Sequence, residues 1–220
     1  MKLQVINILI FLSIVGSQAF AQKPQTQDKQ FTTSSVYALN SWQVVLARIS
    51  QSMTSKESSS SDTHSFIEKK MTGENFGLYF EVIKNGNDYF EWLANIGYEI
   101  FSVSGKDSAG YCPSNSSENC IVDINYISLG VMPRLKLVYD KFLFWSGVNL
   151  NIKQPLTKKA TAVLENDIQT TSTYGLALGL TLFAGEKLII PIDLQQQFFL
   201  KSDSVEAQQI LLKVGIGRSF

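Results

Sequence analysis

The sequence predicts an all-β fold, an eight-stranded antiparallel up-and-down transmembrane β-barrel. First, the last fifty residues hold three segments in which apolar side chains recur at every second position. Second, the connections between such segments alternate along the chain between short turns and longer polar stretches. Third, many residues between the apolar ones are small, which suits the narrow interior of an eight-stranded barrel. Alternation of this kind, joined by short turns, is typical of strands that cross a membrane.

Five strands are predicted before the last fifty residues. Strands two and three are joined by Asn85-Gly86, the strongest short hairpin signal. Pro133 lies within strand four and cannot donate to the ladder, so a bulge or local break is expected there. The predicted strands are 40–53, 75–84, 88–103, 121–138 and 142–152, with polar loops at 54–73, 104–120 and 153–171.

The last three strands alternate most clearly. Apolar residues recur from Tyr174 to Leu182, from Leu188 to Leu200 and from Ile210 to Ile216. Ala184-Gly185-Glu186 supplies a short turn, and residues 201–206 a modest hairpin. With both ends of the chain on the periplasmic side, eight strands require four outer loops and three inner turns, which matches the order of long and short connections.

The N-terminus carries the features of a secretory signal peptide. Lys2 precedes an apolar run from Val5 to Val15, and Ala19-Phe20-Ala21 supplies a cleavage site made of small residues. The apolar run is shorter than the roughly 20 residues of a transmembrane helix. We therefore expect maturation at Gln22. The expected organisation is 1–21 as signal peptide, 22–39 as flexible periplasmic leader and 40–220 as outer-membrane barrel domain.

Composition argues against nucleic acid as a partner and against a bound cofactor. Acidic and basic residues balance, with 19 of each, whereas nucleic-acid-binding domains carry a basic excess. Two cysteines and one distant histidine do not make a metal-ligand set. Mean hydropathy is close to zero, as expected for strands whose two faces average out.

Cys112 and Cys120 are the only cysteines and are predicted to form a disulfide at the tip of the second outer loop. The signal peptide directs them to an oxidising compartment, where two nearby cysteines are expected to pair. A loop this short gains roughly 2.5 kcal/mol in the chain-entropy estimate. Two free thiols are the alternative.

A soluble lipocalin-type barrel is the main alternative fold, because it shares the strand number but turns its apolar face inward. Its second face would meet water and carry many charges. Here that face is rich in small residues such as Gly175, Gly179 and Gly215. Aromatic residues near the predicted strand ends also favour a membrane, where they form belts at both interfaces. They are Trp42, Phe76, Phe90, Trp92, Tyr98, Tyr139, Phe142, Phe144, Tyr174, Phe198 and Phe220.

The chain resembles the small eight-stranded outer-membrane barrels of OmpA/OmpX type. The resemblance rests on the final strand, where Leu212, Val214 and Ile216 alternate before the terminal Phe220. In that family the assembly machinery of the outer membrane recognises this pattern, so the resemblance implies an assembly signal at these four residues. Arg218 departs from the family, in which an aromatic or aliphatic residue is usual at that place.

The predicted function is a surface-exposed structural or interaction scaffold, adhesin-like and without an open pore. Eight strands leave little room for a channel, and four aromatic side chains point inward by parity. These are Phe101, Trp145, Phe183 and Phe199. The expected partners are outer-membrane lipids and lipopolysaccharide, the assembly machinery and an extracellular partner at the long loops, with the barrel as a monomer.

An enzyme that modifies lipid A is the alternative function, since some barrels of this size carry such activity. Hydrolytic chemistry needs a nucleophile and a base in contact, usually Ser and His with an acidic partner. His64 is the only histidine, and its neighbours Asp62 and Ser65 belong to a serine-rich loop. We therefore expect His64 to be dispensable and the protein not to be an enzyme.

Parity also places charged side chains inside the predicted barrel. The Asn85-Gly86 turn would set residue 81 opposite residue 90, so Glu81 and Glu91 are expected to be close neighbours. Enclosed carboxylates repel, so at least one should pair with Lys136 or Arg134. The predicted lumen charges are Glu81, Glu91, Arg134, Lys136, Asp193 and Lys213.

Overall fold

A computed structural model of the protein describes residues 40–58, 66–106, 119–139, 142–184, 187–200 and 205–220. These residues form one closed, antiparallel, eight-stranded barrel, which confirms the predicted fold. No helix among them is long and apolar enough to cross a membrane. The strands are β1 (Ser41–Ser58), β2 (Phe66–Asn85), β3 (Phe90–Lys106), β4 (Asn119–Tyr139), β5 (Phe142–Ala160), β6 (Thr171–Ala184), β7 (Leu188–Phe199) and β8 (Val205–Ser219), with a short 3-10 helix at Glu165–Asp167.

The strands are strongly staggered around the barrel. The stagger is measured by starting at Trp42 on β1 and moving to the ladder partner on each next strand around the barrel. This path returns to β1 at Ser52, ten residues further along. Strands of such barrels tilt by about 40° from the axis. β1 and β8 close the barrel, where the Phe220 amide donates to the Asn40 carbonyl at 2.9 Å. We call this end, which also holds the short turns, the periplasmic end, because short turns of outer-membrane barrels lie there.

The outer face of the barrel is apolar over the middle of every strand. A continuous apolar surface of this extent is expected to meet lipid rather than water. The lipocalin alternative, which needs its apolar face inside and its charges outside, does not fit this arrangement. One exposed apolar residue from each strand illustrates the surface: Leu46, Phe80, Ile96, Leu129, Leu150, Leu178, Leu194 and Val214.

One ion pair interrupts the outer face on β1 and β2. The Arg48 guanidinium lies 2.5 Å from the Glu74 carboxylate, and both side chains are 61% exposed. Arg48 follows the outward-facing Leu46 on β1, and Glu74 precedes the outward-facing Phe76 along β2. The pair therefore lies at the outer edge of the apolar surface on these two strands.

β1, β2 and β5 extend at their outer ends by five residues or more beyond what the sequence indicates. β1 continues to Ser58, β2 begins at Phe66 and β5 continues to Ala160, beyond the predicted limits of 53, 75 and 152. Beyond the bilayer both faces of a strand can be polar, so the alternation fades. Backbone pairing between neighbours does not depend on that alternation, so the ladders continue.

The predicted two-residue turn after β2 is wrong. The amides of Gly86 and Asn87 both donate to the Phe90 carbonyl at 3.0 Å, so the turn is longer than Asn85-Gly86. As a result Glu81 lies opposite Asn95, and not opposite residue 90. Side-chain and backbone bonds within the loop determine this register, and the dipeptide alone does not encode them.

Pro133 has the effect expected of a proline inside a strand. Within the described β4–β5 ladder, pairing is interrupted at Met132 and Pro133, while the register is the same on both sides of the gap. The bulge in this ladder lies elsewhere, between Asn125 and Tyr126. β4 therefore passes Pro133 with a local break in its pairing and no change of facing.

Candidate functional site

The interior of the barrel is filled by side chains in layers. We call the apolar group nearest the periplasmic end the periplasmic cluster and the group nearest the outer end the outer cluster. Buried charged and amide side chains lie between them. The periplasmic cluster holds Ile83, Leu93, Met132, Leu143, Trp145 and Ala177. The outer cluster holds Met53, Met71, Phe101, Val103, Cys120, Val122, Ile124, Tyr126, Ala160, Ala162, Ile168 and Ala207.

Glu81 is the centre of the first buried charge network, which we call the Glu81 network. Its carboxylate is fully buried, and it accepts hydrogen bonds from Lys213 at 2.8 Å and from Gln43 at 2.5 Å. The Arg134 guanidinium lies 4.0 Å from Glu81 and 3.4 Å from Glu91. β2, β3, β4 and β8 are therefore joined across the lumen by charged contacts.

The structure places all six predicted lumen charges on the inner face. Arg134, one of the two expected cations, contacts both carboxylates, whereas Lys136 bonds to neither of them. Glu81 and Glu91 are not ladder neighbours, and Arg134 lies between them. Lys136 donates to the side-chain carbonyl of Asn85. Asp193 accepts a hydrogen bond from Gln195 at 2.9 Å and lies opposite Lys213 in the β7–β8 ladder.

Sequence reasoning missed a second buried network nearer the outer end. Lys153 donates to the Glu99 carboxylate, and both side chains are almost completely buried. Gln209 donates to Glu99 at 3.0 Å and to Gln197 at 2.8 Å. The sequence does not predict Lys153 as a lumen residue, because the predicted strand five ends at residue 152. The polar alternation on the inner face of β5, which continues into Lys153, was the available signal.

Two aromatic rings hold the cations of the Glu81 network in place. The Lys213 ammonium lies 3.9 Å from the centroid of the Tyr79 ring, and the Arg134 guanidinium lies 3.7 Å from the centroid of the Trp145 ring. Cation–π contacts of this kind are stronger when they are removed from water. A Cβ atom at Gly179 would overlap the Trp145 ring. The small residues of the inner face therefore make room for large rings from neighbouring strands.

A segment between β5 and β6 folds over the outer end of the lumen, and we call residues 161–170 the outer cap. Its Ala162 and Ile168 side chains are buried in the outer cluster. The Thr161 amide donates to the Ile121 carbonyl at 2.8 Å, and Lys158 donates to the Ile168 carbonyl. The expectation of a solvated polar loop at 153–171 is therefore wrong, because β5 and the outer cap occupy most of it.

Two of the predicted site residues lie outside the described residues. Cys120 is buried in β4, but Cys112 is not among the described residues, so the disulfide stays a prediction. His64 also lies outside them, and its dispensability stays a prediction. Over the described residues, no group of three or more potential metal ligands is found.

The remaining predicted residues are aromatic side chains and the final strand. Phe101 and Trp145 are buried, and Phe183 and Phe199 are half-buried, all on the inner face. The four residues of the expected assembly signal face outward and are exposed, and their recognition by assembly machinery stays a prediction. They are Leu212, Val214, Ile216 and Phe220.

Comparison with solved structures finds proteins of similar fold. No family model matches the chain, and no curated protein matches it. The chain is similar to Neisserial surface protein A (NspA), with a TM-score of 0.54 and 12% identity over 82% of this chain and 97% of that chain. The outer membrane protein AlkL gives a TM-score of 0.49, with 14% identity over 90% of this chain and 97% of that chain. The outer membrane protein OprG from Pseudomonas aeruginosa gives a TM-score of 0.48, with 10% identity over 83% of this chain and 96% of that chain.

At these identities the likeness concerns the fold alone. The similarity to NspA and the closed barrel together give the chain the fold of the small eight-stranded outer-membrane barrels. The apolar outer surface agrees with this fold, because a barrel of this kind turns its apolar face to lipid. The protein therefore has the fold and the lipid-facing surface of an outer-membrane β-barrel.

Proposed function

We propose that the protein is an adhesin-like interaction scaffold of the outer membrane, without an open pore and without enzymatic activity. The observation that carries the proposal is the Glu81 network, which fills the lumen between two apolar clusters. The barrel then serves as a membrane anchor, and its outer end is the part that an extracellular partner can reach.

The contacts across the lumen support a closed barrel. Lys213 on β8 and Arg134 on β4 both approach Glu81 on β2, so these side chains extend over the barrel axis. An eight-stranded barrel has an interior just wide enough for side chains to fill. Trp145 and the periplasmic cluster lie beneath them. Solutes would have to displace both layers to pass.

The outer ends of the strands support an interaction role. β1 continues for twelve residues beyond Leu46, the last outward apolar side chain before Arg48. A membrane-spanning strand needs only about 9–11 residues, so the extensions of β1, β2 and β5 stand clear of the bilayer. The outer cap covers part of the lumen at this end. A paired sheet edge outside the membrane is a rigid platform on which loops can contact a partner.

The closed lumen is tested by single-channel recording in planar lipid bilayers. The wild-type protein is expected to give no discrete conductance steps. The double substitution Arg134→Ala and Trp145→Ala removes two side chains that cross the lumen and is expected to produce steps. Ala94→Ser, on the lipid-facing side of β3, is the control and should behave as wild type. Regular steps from the wild-type barrel would contradict the closed lumen.

The interaction role is tested on intact cells. Cells that produce the protein are expected to adhere to protein-coated surfaces better than cells without it. Replacing residues 59–65 by a Gly-Ser segment of equal length should remove the gain at equal surface abundance. Leu150→Val on the lipid face is the control. Lipid A from the same cells should keep its mass spectrum. Equal adhesion by all strains would contradict the scaffold role.

A further inference from the structure

The outer end of the lumen contains a large cavity, which we call the outer cavity. Its volume is about 600 Å³. The outer cluster forms its walls, and the outer cap covers part of it. Its lining includes Met53, Phe101, Tyr126, Asp167, Phe199 and Ala207.

The floor of the outer cavity is aromatic and closed. The Phe101 and Phe199 rings meet edge to face with their centroids 5.4 Å apart, and Tyr126 lies 6.4 Å from Phe199. Beneath them the Lys153 ammonium lies 5.2 Å from the centroid of the Phe199 ring and is bonded to Glu99. The cavity therefore ends at a buried ion pair and does not continue toward the periplasm.

The size of the outer cavity contrasts with the packing at the other end of the barrel. At the periplasmic end, Ile83, Leu143 and Phe183 help to line a pocket of only about 20 Å³. Protein interiors are close-packed, and voids larger than a water molecule are few. Cavities that bind small molecules have volumes of roughly 300–1,000 Å³ and are mostly apolar. The outer cavity falls within this range.

The lining also restricts the charge of an occupant. Asp167 is the only charged residue among the lining residues that the structure describes, and none of those is basic. A carboxylate or phosphate would enter an apolar space without a cationic partner, which is costly. The hydroxyl groups of Ser55, Thr170 and Thr171 can hydrogen-bond to one neutral polar group of an occupant. Leu164 and Leu200, which also line the cavity, are 61% and 60% exposed and so make its outer rim apolar.

We propose that the outer cavity binds one small, uncharged and predominantly apolar molecule that enters from the outer side. This site goes beyond the scaffold role, because the occupant is a small molecule and its place is the lumen. The aromatic floor, the lack of a basic side chain among the described lining residues and the volume all select the same chemical class. The buried Glu99–Lys153 pair stops the molecule at the floor.

The chain contains its own reporters for an experiment. Met53 lines the outer cavity, and Met132 belongs to the periplasmic cluster at the other end of the lumen. The full-length protein is labelled with [methyl-13C]methionine, inserted into phosphatidylcholine nanodiscs and titrated with naphthalene. The Met53 methyl resonance is expected to shift and saturate, while the Met132 resonance stays in place. Equal, non-saturating shifts at both residues would mean partition into lipid and would overturn the proposal.

Charge selectivity is measured with 2-naphthoate, which carries the same ring system and a carboxylate. We expect 2-naphthoate to shift the Met53 methyl resonance at least ten-fold less than naphthalene does at equal free concentration. Asp167→Lys at the exposed rim is expected to bring 2-naphthoate binding up several-fold and to leave naphthalene binding within two-fold of wild type. Equal binding of both probes by the wild-type protein would overturn the assignment of an uncharged ligand.

Filling the cavity supplies a matched pair of variants. Ala207→Phe places a ring in the outer cavity and is expected to abolish the saturable Met53 shift. Ala94→Phe adds the same ring on the lipid-facing side and should retain the saturable Met53 shift. Heat-modifiable migration on gels verifies that each barrel is folded. If Ala207→Phe fails to fold, the titrations of the wild-type protein and of Asp167→Lys still distinguish binding in the outer cavity from partition into lipid. A folded Ala207→Phe that binds naphthalene as wild type would overturn the proposal.

Discussion

At the level of single residues, Lys213 is the side chain on which the Glu81 network depends most. It gives Glu81 its shortest charged contact, at 2.8 Å, whereas Arg134 remains at 4.0 Å and is shared with Glu91. Lys213→Met therefore leaves a buried carboxylate with weak compensation. We expect the unfolding free energy in detergent micelles to fall by about 3–5 kcal/mol, the usual cost of breaking a buried pair. Urea titration measures it.

The double substitution Lys213→Met and Glu81→Gln is the control for this prediction. It removes both charges, and replacement of a whole buried pair is often neutral. We expect it to recover at least half of the loss, because no uncompensated charge remains. Equal destabilisation by the single and double variants would show that packing around Lys213 matters and that its charge does not.

At this scale the sequence predicts which face a charge occupies and names Arg134 as a partner of the carboxylates, but it does not predict Lys213 as the nearest cation to Glu81. Period two places Glu81, Lys213 and Arg134 inside the barrel. The partner depends on the register of each hairpin and on long side chains that reach across the lumen. The five-residue difference between the expected and observed β2–β3 pairing already separates Glu81 from Glu91 in the ladder. Tertiary contacts across a barrel leave no periodic signal in the chain.

At the level of structural elements, the outer cap is held by two buried side chains in an otherwise exposed segment. Ile168 is the larger of the two and packs in the outer cluster. Ile168→Asp would bury a charge without a partner, so we expect the cap to detach. Limited proteolysis should then cut within residues 161–170 at least ten-fold faster. The heat resistance of the barrel should change little, because the ladders do not depend on the cap.

Asn166→Asp is the matched control, because it adds the same charge to an exposed position of the same cap. Its cleavage rate should stay within two-fold of wild type. A loss of heat resistance in Ile168→Asp would instead indicate that the outer cap and the strands unfold as one unit.

The strands themselves are largely predictable, and the outer cap is not. Alternation identifies all eight strands because one face meets lipid and the other a filled lumen, so the two faces differ in chemistry over many residues. β5 beyond Ile152 has lost that difference, and its pairing is set by β4. Ala162 and Ile168 are isolated apolar residues in a polar stretch, and isolated residues of this kind do not predict burial.

At the level of the whole molecule, the barrel depends on a stagger that no single segment encodes. The ten-residue displacement of β1 on itself is the sum of eight pairings, seven between consecutive strands and one between β1 and β8 that closes the barrel. Strand number and closure follow from the length and pattern of the chain. The width of the lumen follows from strand number and stagger together. The space for Arg134, Trp145 and Lys213 could therefore be read only from the assembled barrel.

The Arg48–Glu74 pair has a consequence for the bilayer around the barrel. On β1, outward apolar residues run only from Trp42 to Leu46 before Arg48, a height of about 10 Å along the barrel axis at the rise and tilt of such strands. On β4, exposed or half-buried outward side chains run without a charge from Ile127 to Tyr139, or about 30 Å. A charge at the bilayer midplane costs roughly 2–4 kcal/mol and much less at the interface.

Hydrophobic mismatch of this size is relieved when a bilayer thins locally or a protein tilts. We expect a nitroxide label at Ser50 to be accessible to a water-soluble nickel chelate, and one at Val131 to be accessible to oxygen alone. Both positions face outward and lie eight residues from the aromatic side chain at the periplasmic end, Trp42 and Tyr139 respectively. Equal burial of the two labels would refute the asymmetry. The lipid shell is then thin beside β1 and β2 and of full thickness beside β4, so the membrane itself distinguishes one side of this barrel from the other.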